Sequence, residues 1–163
     1  MGRPMTWTAA AVLGVMLPAA AWAASGPAAV VRDFFRAGAR GEVAAMTRMC
    51  TLRAANHGEV GHGVFWWAFA AVGRSIVKID PARVERGGKL ATVVVTYGRR
   101  RMIDQARELM GAYVARMGNK LKQAHAKRMT ERFLKLIKIQ PPKIRIILVK
   151  QDGRWLINKF KNP

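Results

Sequence analysis

The residues with the most obvious capacity for chemistry sit in a glycine-rich stretch, Asn56 to Gly63, which contains His57, Glu59 and His62. Two imidazoles and a carboxylate within six residues could ligate zinc or copper if the loop folded back on itself. The spacing differs from the His-Glu-x-x-His of helical zinc hydrolases, and the flanking glycines favour a solvated loop. No metal and no cofactor is therefore expected. The same stretch lacks the Gly-Lys-Ser/Thr ending of a phosphate loop. Asp33 could act as a base inside a pocket, but Arg32 and Arg36 flank it, and a surface ion pair is the simpler expectation. His125 lies in a basic helical stretch and reads as a partly exposed helix residue rather than a base. Cys50 is the only cysteine, so no internal disulfide can form; it ends a short apolar pattern, which predicts a buried, inert thiol.

Two further sets could bind without reacting. Phe65, Trp66, Trp67 and Phe69, with Phe34 and Tyr97 elsewhere in the chain, could line a pocket for an apolar or aromatic ligand. Core packing competes with that reading, because aromatics dominate small cores. The second set is basic: Lys120, Lys122, Lys127, Arg128, Arg132, Lys135 and Lys138 run beside an apolar stripe on one helical segment. That combination suits an anionic membrane surface. The competing reading is a helix whose stripe packs on a sheet while its charges stay solvated. No nucleic-acid recognition motif is visible, so only nonspecific phosphate attraction is expected there.

Charge bounds the class of partner, with simple solubility of a basic protein as the competing reading. The chain has 29 Lys and Arg against 9 Asp and Glu, a formal net charge of +20 at pH 7. A protein so basic is attracted to anionic lipid, phosphate-bearing envelope polymers or acidic proteins, and associates faster at low salt. The N-terminus has the layout of an export signal. Arg3 is followed by an apolar core from Ala9 to Leu17, a break at Pro18, and Ala21-Trp22-Ala23 at the cleavage positions. Cleavage after residue 23 leaves 24–163 as a single domain in the periplasm or outside the cell. No cysteine follows the apolar core, so a lipid-modified N-terminus is not expected, and no later stretch is apolar enough to span a bilayer.

These residues need a scaffold. Pro27 suits the first turn of a helix that carries Val30, Val31, Phe34, Phe35 and Ala37 at helical spacing. A short second helix, Glu42 to Cys50, follows. Phe65 to Val72 reads as a helix apolar nearly all round and hence buried. Arg74 to Asp80 reads as a strand ended by Pro81, and Gly87-Gly88 joins two more, Ala82–Arg86 and Leu90–Gly98. Arg99 to Lys138 is helical by pattern, with a break at Gly118-Asn119. Its first half carries a stripe of Met102, Ala106, Leu109 or Met110, Tyr113 and Met117. Its second half carries Leu121, Ala124, Met129, Phe133, Leu136 and Ile137.

Pro141-Pro142 ends the helical region, and Asp152-Gly153 marks a two-residue hairpin turn, since type I′ geometry needs positive φ at both positions. That turn pairs Lys150 with Trp155, Leu148 with Ile157 and Ile146 with Lys159 on one face. Val149 with Leu156, Ile147 with Asn158 and Arg145 with Phe160 fall on the other. Both faces are mostly apolar, which predicts a ribbon covered on both sides.

The order of elements resembles the nuclear transport factor 2-like superfamily, in particular exported bacterial lumazine-binding-like domains. The resemblance rests on Val31, Phe34 and Phe35 in a Val-x-x-Phe-Phe helix, and on Lys150, Gly153, Trp155 and Ile157 in a Lys-x-x-Gly-x-Trp-x-Ile ending. It covers roughly residues 27 to 98 and 140 to 160, and the basic helical insert, 99–138, departs from it. It implies an α+β cone in which a curved antiparallel sheet packs on N-terminal helices and can leave a pocket. It implies an architecture more than a reaction. The expectation is an exported, non-enzymatic module that binds an anionic amphiphile, an anionic envelope surface or an acidic protein. The alternative is a small cone-fold enzyme, isomerase- or hydrolase-like, using Asp33 or a histidine.

Overall fold

The computed structural model describes residues 25–56, 66–115 and 118–161. The signal-like segment 1–23, His57, Glu59, His62, Phe65 and Met117 lie outside the described residues, as do the side chains of Trp66, Trp67, Leu121, Phe133, Leu136 and Ile137. Within them the chain is a mixed α+β domain, with helices packed on an open, curved antiparallel sheet of five strands.

Helix α1, Pro27–Ala39, begins at Gly26 with Pro27 in its first turn, where a missing N–H costs nothing. Val30, Val31, Phe34, Phe35, Ala37 and Gly38 are buried, and Arg32 and Arg36 face out. Two short helices follow, α2 (Val43–Arg48) and α3 (Leu52–Asn56). The sequence pattern did not foresee α3. Thr51 starts it, its hydroxyl accepting the Ala54 N–H at 3.2 Å. Helix α4, Trp66–Gly73, packs against α1 and α5. Ala70, Ala71 and Val72 are buried, as an apolar helix in an interior should be. The approach to α1 is close: a Cβ on Gly73 would overlap the Phe35 carbonyl oxygen.

Strands β1 (Ile76–Ile79) and β2 (Arg83–Val84) lie end to end along one edge of β3 (Leu90–Tyr97). Gly87 and Gly88 both take positive φ in the β2–β3 turn. Helices α5 (Arg99–Ala115) and α6 (Lys120–Ile139) form the basic insert, and β4 (Lys143–Gln151) and β5 (Arg154–Lys161) close the sheet in the order β1-β3-β4-β5. The break between α5 and α6 falls where Gly118-Asn119 predicts it. Asn119 caps α6, its side-chain oxygen accepting the Lys122 N–H at 3.2 Å.

The core lies on one face of the sheet. Ala91, Val93, Val95 and Tyr97 of β3, Ile146 and Leu148 of β4, and Ile157 of β5 are buried against α1 and α4, with Met46, Met102, Ala106 and Met110 filling around them. The opposite face contributes no buried residue. Thr92, Val94, Thr96, Ile147, Val149 and Leu156 are only half-buried there, and Lys143, Arg145, Lys159 and Lys161 are exposed. The expected covering of the terminal ribbon on both sides therefore does not occur among the described residues: the helices pack on one side and leave the other open.

The hairpin turn is as expected, with φ of 48° at Asp152 and 77° at Gly153. Lys150–Trp155, Val149–Leu156 and Leu148–Ile157 pair as predicted. Beyond them the register slips by one: Ile147 faces Lys159, Ile146 faces Phe160 and Arg145 faces Lys161. Asn158 is the extra residue, a β-bulge, and the slip exchanges the faces of everything after it. Phe160 turns into the core and Lys159 and Lys161 turn out. The edge of β5 is tied down at this point, because Ile157 donates to the Met49 carbonyl at 2.8 Å and accepts from the Thr51 N–H at 2.8 Å. The Thr51 hydroxyl also meets the Asn158 side-chain oxygen at 3.2 Å. That partner segment covers the edge groups of β5 that would otherwise invite another strand.

One position of the helical insert also needs correction. The α5 stripe is as predicted, with Met102, Ala106 and Met110 buried and Leu109 and Tyr113 packed beside them. Of the α6 stripe, Ala124 is exposed and Met129 is half-buried, while the side chains of Leu121, Phe133, Leu136 and Ile137 lie outside the described residues; among the described ones the inward residues are Ala126, Thr130 and the half-buried Leu134. α6 packs chiefly on α5 rather than on the sheet. Thr130 is buried and satisfies its hydroxyl on the Ala126 carbonyl at 2.8 Å.

Candidate functional site

Of the aromatic residues named as pocket walls, Phe34 and Phe69 are packed against each other and against Phe35 and Phe160, while Phe65 and the side chains of Trp66 and Trp67 lie outside the described residues. Phe34 is fully buried, with ring centroids 5.3 Å from Phe35, 5.4 Å from Phe69 and 5.5 Å from Phe160. Phe69 lies 4.8 Å from Phe160. Edge-to-face and tilted contacts at these distances are favourable aromatic packing. Tyr97 is buried at the far end of β3, and burial pushes its phenol above the usual range while the nearby Arg99 pulls it down. It is a neutral core residue at physiological pH.

A cleft does open beside β5, between α1 and the Met49 segment, and Asp33, Arg48, Arg154 and Trp155 are among its walls. Its volume is about 40 Å³. Pockets for drug-sized ligands run to roughly 300–1,000 Å³, so this cleft has room for water and little else. Asp33 is paired with Arg36 at 3.2 Å and both side chains are well exposed, the surface ion pair that the sequence suggested. Trp155 instead carries Lys150, whose ammonium sits 5.8 Å from the ring centroid. Cys50 is buried. Among the described residues no cluster of three or more His, Cys, Asp or Glu could hold a metal ion.

The basic residues make the more extensive feature. Lys120, Lys122, Lys127, Arg128, Arg132, Lys135 and Lys138 are all exposed. At about 100° per residue, all of them except Lys122 fall within an arc of roughly 140° on the side of α6 away from Ala126 and Thr130. The only carboxylate on α6 is Glu131. The salt bridges among the described residues are Arg36–Asp33, Arg40–Glu42, Lys78–Asp80 and Arg107–Asp104, and none of them uses α6. The field of this face is therefore directed at solvent. His125 is exposed on the same helix. Among the described residues no helix is long and apolar enough to cross a membrane.

One arginine has a different task. Arg74 donates from Nε and Nη2 to the Ala39 carbonyl, both at 3.3 Å, and from Nη1 to Gln105 Oε1 at 3.2 Å. It thus satisfies the open C-terminal end of α1 and ties it to α5.

Sequence reasoning missed a second basic surface, on the open face of the sheet. The five strands carry eight Lys or Arg and no acidic residue. Lys78, Arg83, Lys143 and Arg145 pair with Thr96, Thr92, Thr96 and Val94, which puts them on that face. Lys159 and Lys161 join them because of the bulge. The signal in the sequence was the broken alternation Trp155, Ile157, Phe160, since an even spacing throughout would have required no bulge. Asp80 is the acidic neighbour of this surface. Its carboxyl is held below the usual carboxylate range by a hydrogen bond from Lys78, with Lys143 and Arg83 adding to the pull and burial opposing it.

Comparison with protein-family models, with curated proteins and with solved structures finds no match to this chain, so the nuclear transport factor 2-like resemblance rests on its own motifs and element order.

Proposed function

We propose that this protein is a non-enzymatic, exported binding module that docks on an anionic envelope surface through the outer face of α6. The observation that carries the reading is the arc of Lys120, Lys127, Arg128, Arg132, Lys135 and Lys138, exposed and outside every salt bridge among the described residues. Each Lys or Arg held near an anionic lipid surface contributes about 1 kcal/mol, within a Debye length of about 10 Å at 0.1 M salt. Attraction of that kind recognises charge density rather than one ligand, which also suits the smallness of the β5 cleft. The signal-like N-terminus supports a partner beyond the inner membrane.

The test is co-sedimentation of the purified protein with vesicles containing phosphatidylglycerol, against neutral phosphatidylcholine vesicles. Reversing Lys127, Arg128 and Lys135 to Glu is expected to weaken binding to the anionic vesicles about a hundredfold. Asp33→Asn is expected to leave it unchanged. If Asp33→Asn removed the protein's cellular effect while vesicle binding stayed intact, the small-enzyme alternative would replace this reading.

A further inference from the structure

The open face of the sheet has an apolar centre. Leu90, Val149 and Leu156 pair across β3, β4 and β5 in one continuous row, with Ile147 and Val94 beside it on the same face. Leu90 is 38% exposed and the others are half-buried. Around this centre stand Arg83, Lys143, Arg145, Arg154, Lys159 and Lys161, all exposed. Lys78 is the cation of this face that has a carboxylate, Asp80, at 2.7 Å.

Apolar residues rimmed by charge mark an interaction surface, and the sign of the rim restricts the occupant. A second copy of this chain would bring the same cations against these, which repulsion opposes. A nucleic acid would satisfy the cations, but single-strand binding needs aromatic platforms, and the aromatic residues of these strands, Tyr97, Trp155 and Phe160, fall on the core side by register. An apolar centre would then be left against phosphates. A bilayer of anionic lipid satisfies both halves: phosphates meet the rim, and the glycerol and upper acyl region meet the aliphatic row.

We infer that the open sheet face is a second, amphipathic contact for an anionic lipid bilayer, independent of α6 and distinguished from it by an apolar component. This deepens the docking role proposed above and rests on that reading for its lipid partner, but not on the α6 site. The two contacts respond differently to salt. Raising salt from about 0.1 M to about 1 M shortens the Debye length from about 10 Å to about 3 Å, which suppresses a purely ionic contact and spares an apolar one.

The experiment uses the same phosphatidylglycerol vesicles with two sheet variants and the α6 reversal, each first checked for an unchanged thermal unfolding midpoint. Arg145→Glu with Lys161→Glu alters exposed positions only and is expected to lower binding about thirtyfold at low salt. Leu90→Thr with Leu156→Thr keeps strand-compatible side chains and is expected to remove the binding that survives at high salt, while most low-salt binding remains. Sheet variants that bind vesicles as the parent does, with only the α6 reversal defective, would overturn this inference and leave the docking role standing. Loss in the sheet variants with an unaffected α6 reversal would uphold the inference and move the proposed site off α6. Sheet-dependent binding to inorganic polyphosphate or to a soluble acidic protein, without vesicle binding, would overturn the lipid assignment.

Discussion

Helices α1 and α6 each show one face to the protein and one to water, but they divide their residues differently. α1 commits Val31, Phe34 and Phe35 to the interior with essentially no exposure, and its inner face touches β3, β5 and α4. Fully burying each such side chain contributes about 1.5–3 kcal/mol. α6 commits Ala126, Thr130 and part of Leu134 to α5, and keeps six cations of its outer arc in water. The first helix is an element of the fold, and the second presents an outer face of cations. Under the proposed docking role the contrast separates stability from function along the chain: the buried core lies between the sheet and α1, and the proposed contact surfaces are exposed.

Phe34→Ala should show the largest effect. It leaves a cavity among Phe35, Phe69 and Phe160, and a loss of about 3–5 kcal/mol is expected in urea unfolding. A loss below about 1 kcal/mol would mean that α1 is not the keystone described. Gly73→Ala tests the same contact with a sign. In an unconstrained helix Ala is favoured over Gly by about 1 kcal/mol, but here the added Cβ meets the Phe35 carbonyl, and α1 and α4 must separate. Destabilisation by about 1–3 kcal/mol is expected, and a stabilised variant would refute the close packing. The smallest change in stability belongs to α6. The Lys127, Arg128 and Lys135 reversal that should cripple vesicle binding is expected to shift unfolding by no more than about 0.5 kcal/mol. A shift of the size expected for Phe34→Ala would place α6 within the cooperative core and erase the distinction.

Much of the fold could be read from the residues. Pro27, Gly87-Gly88, Gly118-Asn119 and Asp152-Gly153 mark boundaries through backbone chemistry that acts locally, and each falls where the structure places it. The α1 stripe was legible for a related reason: large apolar residues at period 3.6 have few alternatives to burial. Of the α6 stripe, Ala124 misled, because it is exposed while Ala126 and Thr130, which the pattern left out, are buried. The basic candidates on α6 were legible as charge. Lys159 and Lys161 were not legible as sheet-face cations, since they reach that face only through a bulge signalled by nothing more than the broken alternation of Trp155, Ile157 and Phe160.

The sequence alone determined that this is a very basic α+β chain with a cysteine that cannot pair internally, an aromatic first helix, a two-part basic helical insert and a tight terminal hairpin. These follow from composition and from backbone preferences confined to a few neighbouring residues. The tertiary structure decided which face each residue after Ile157 presents, that one side of the sheet stays open among the described residues, and that the aromatic residues around Phe34 pack against each other. Those outcomes depend on contacts distant in sequence: Met49 and Thr51 hold Ile157, and Phe34 and Phe69 receive Phe160. A one-residue slip in a strand inverts every side chain beyond it, and only the partners on both sides determine whether it occurs.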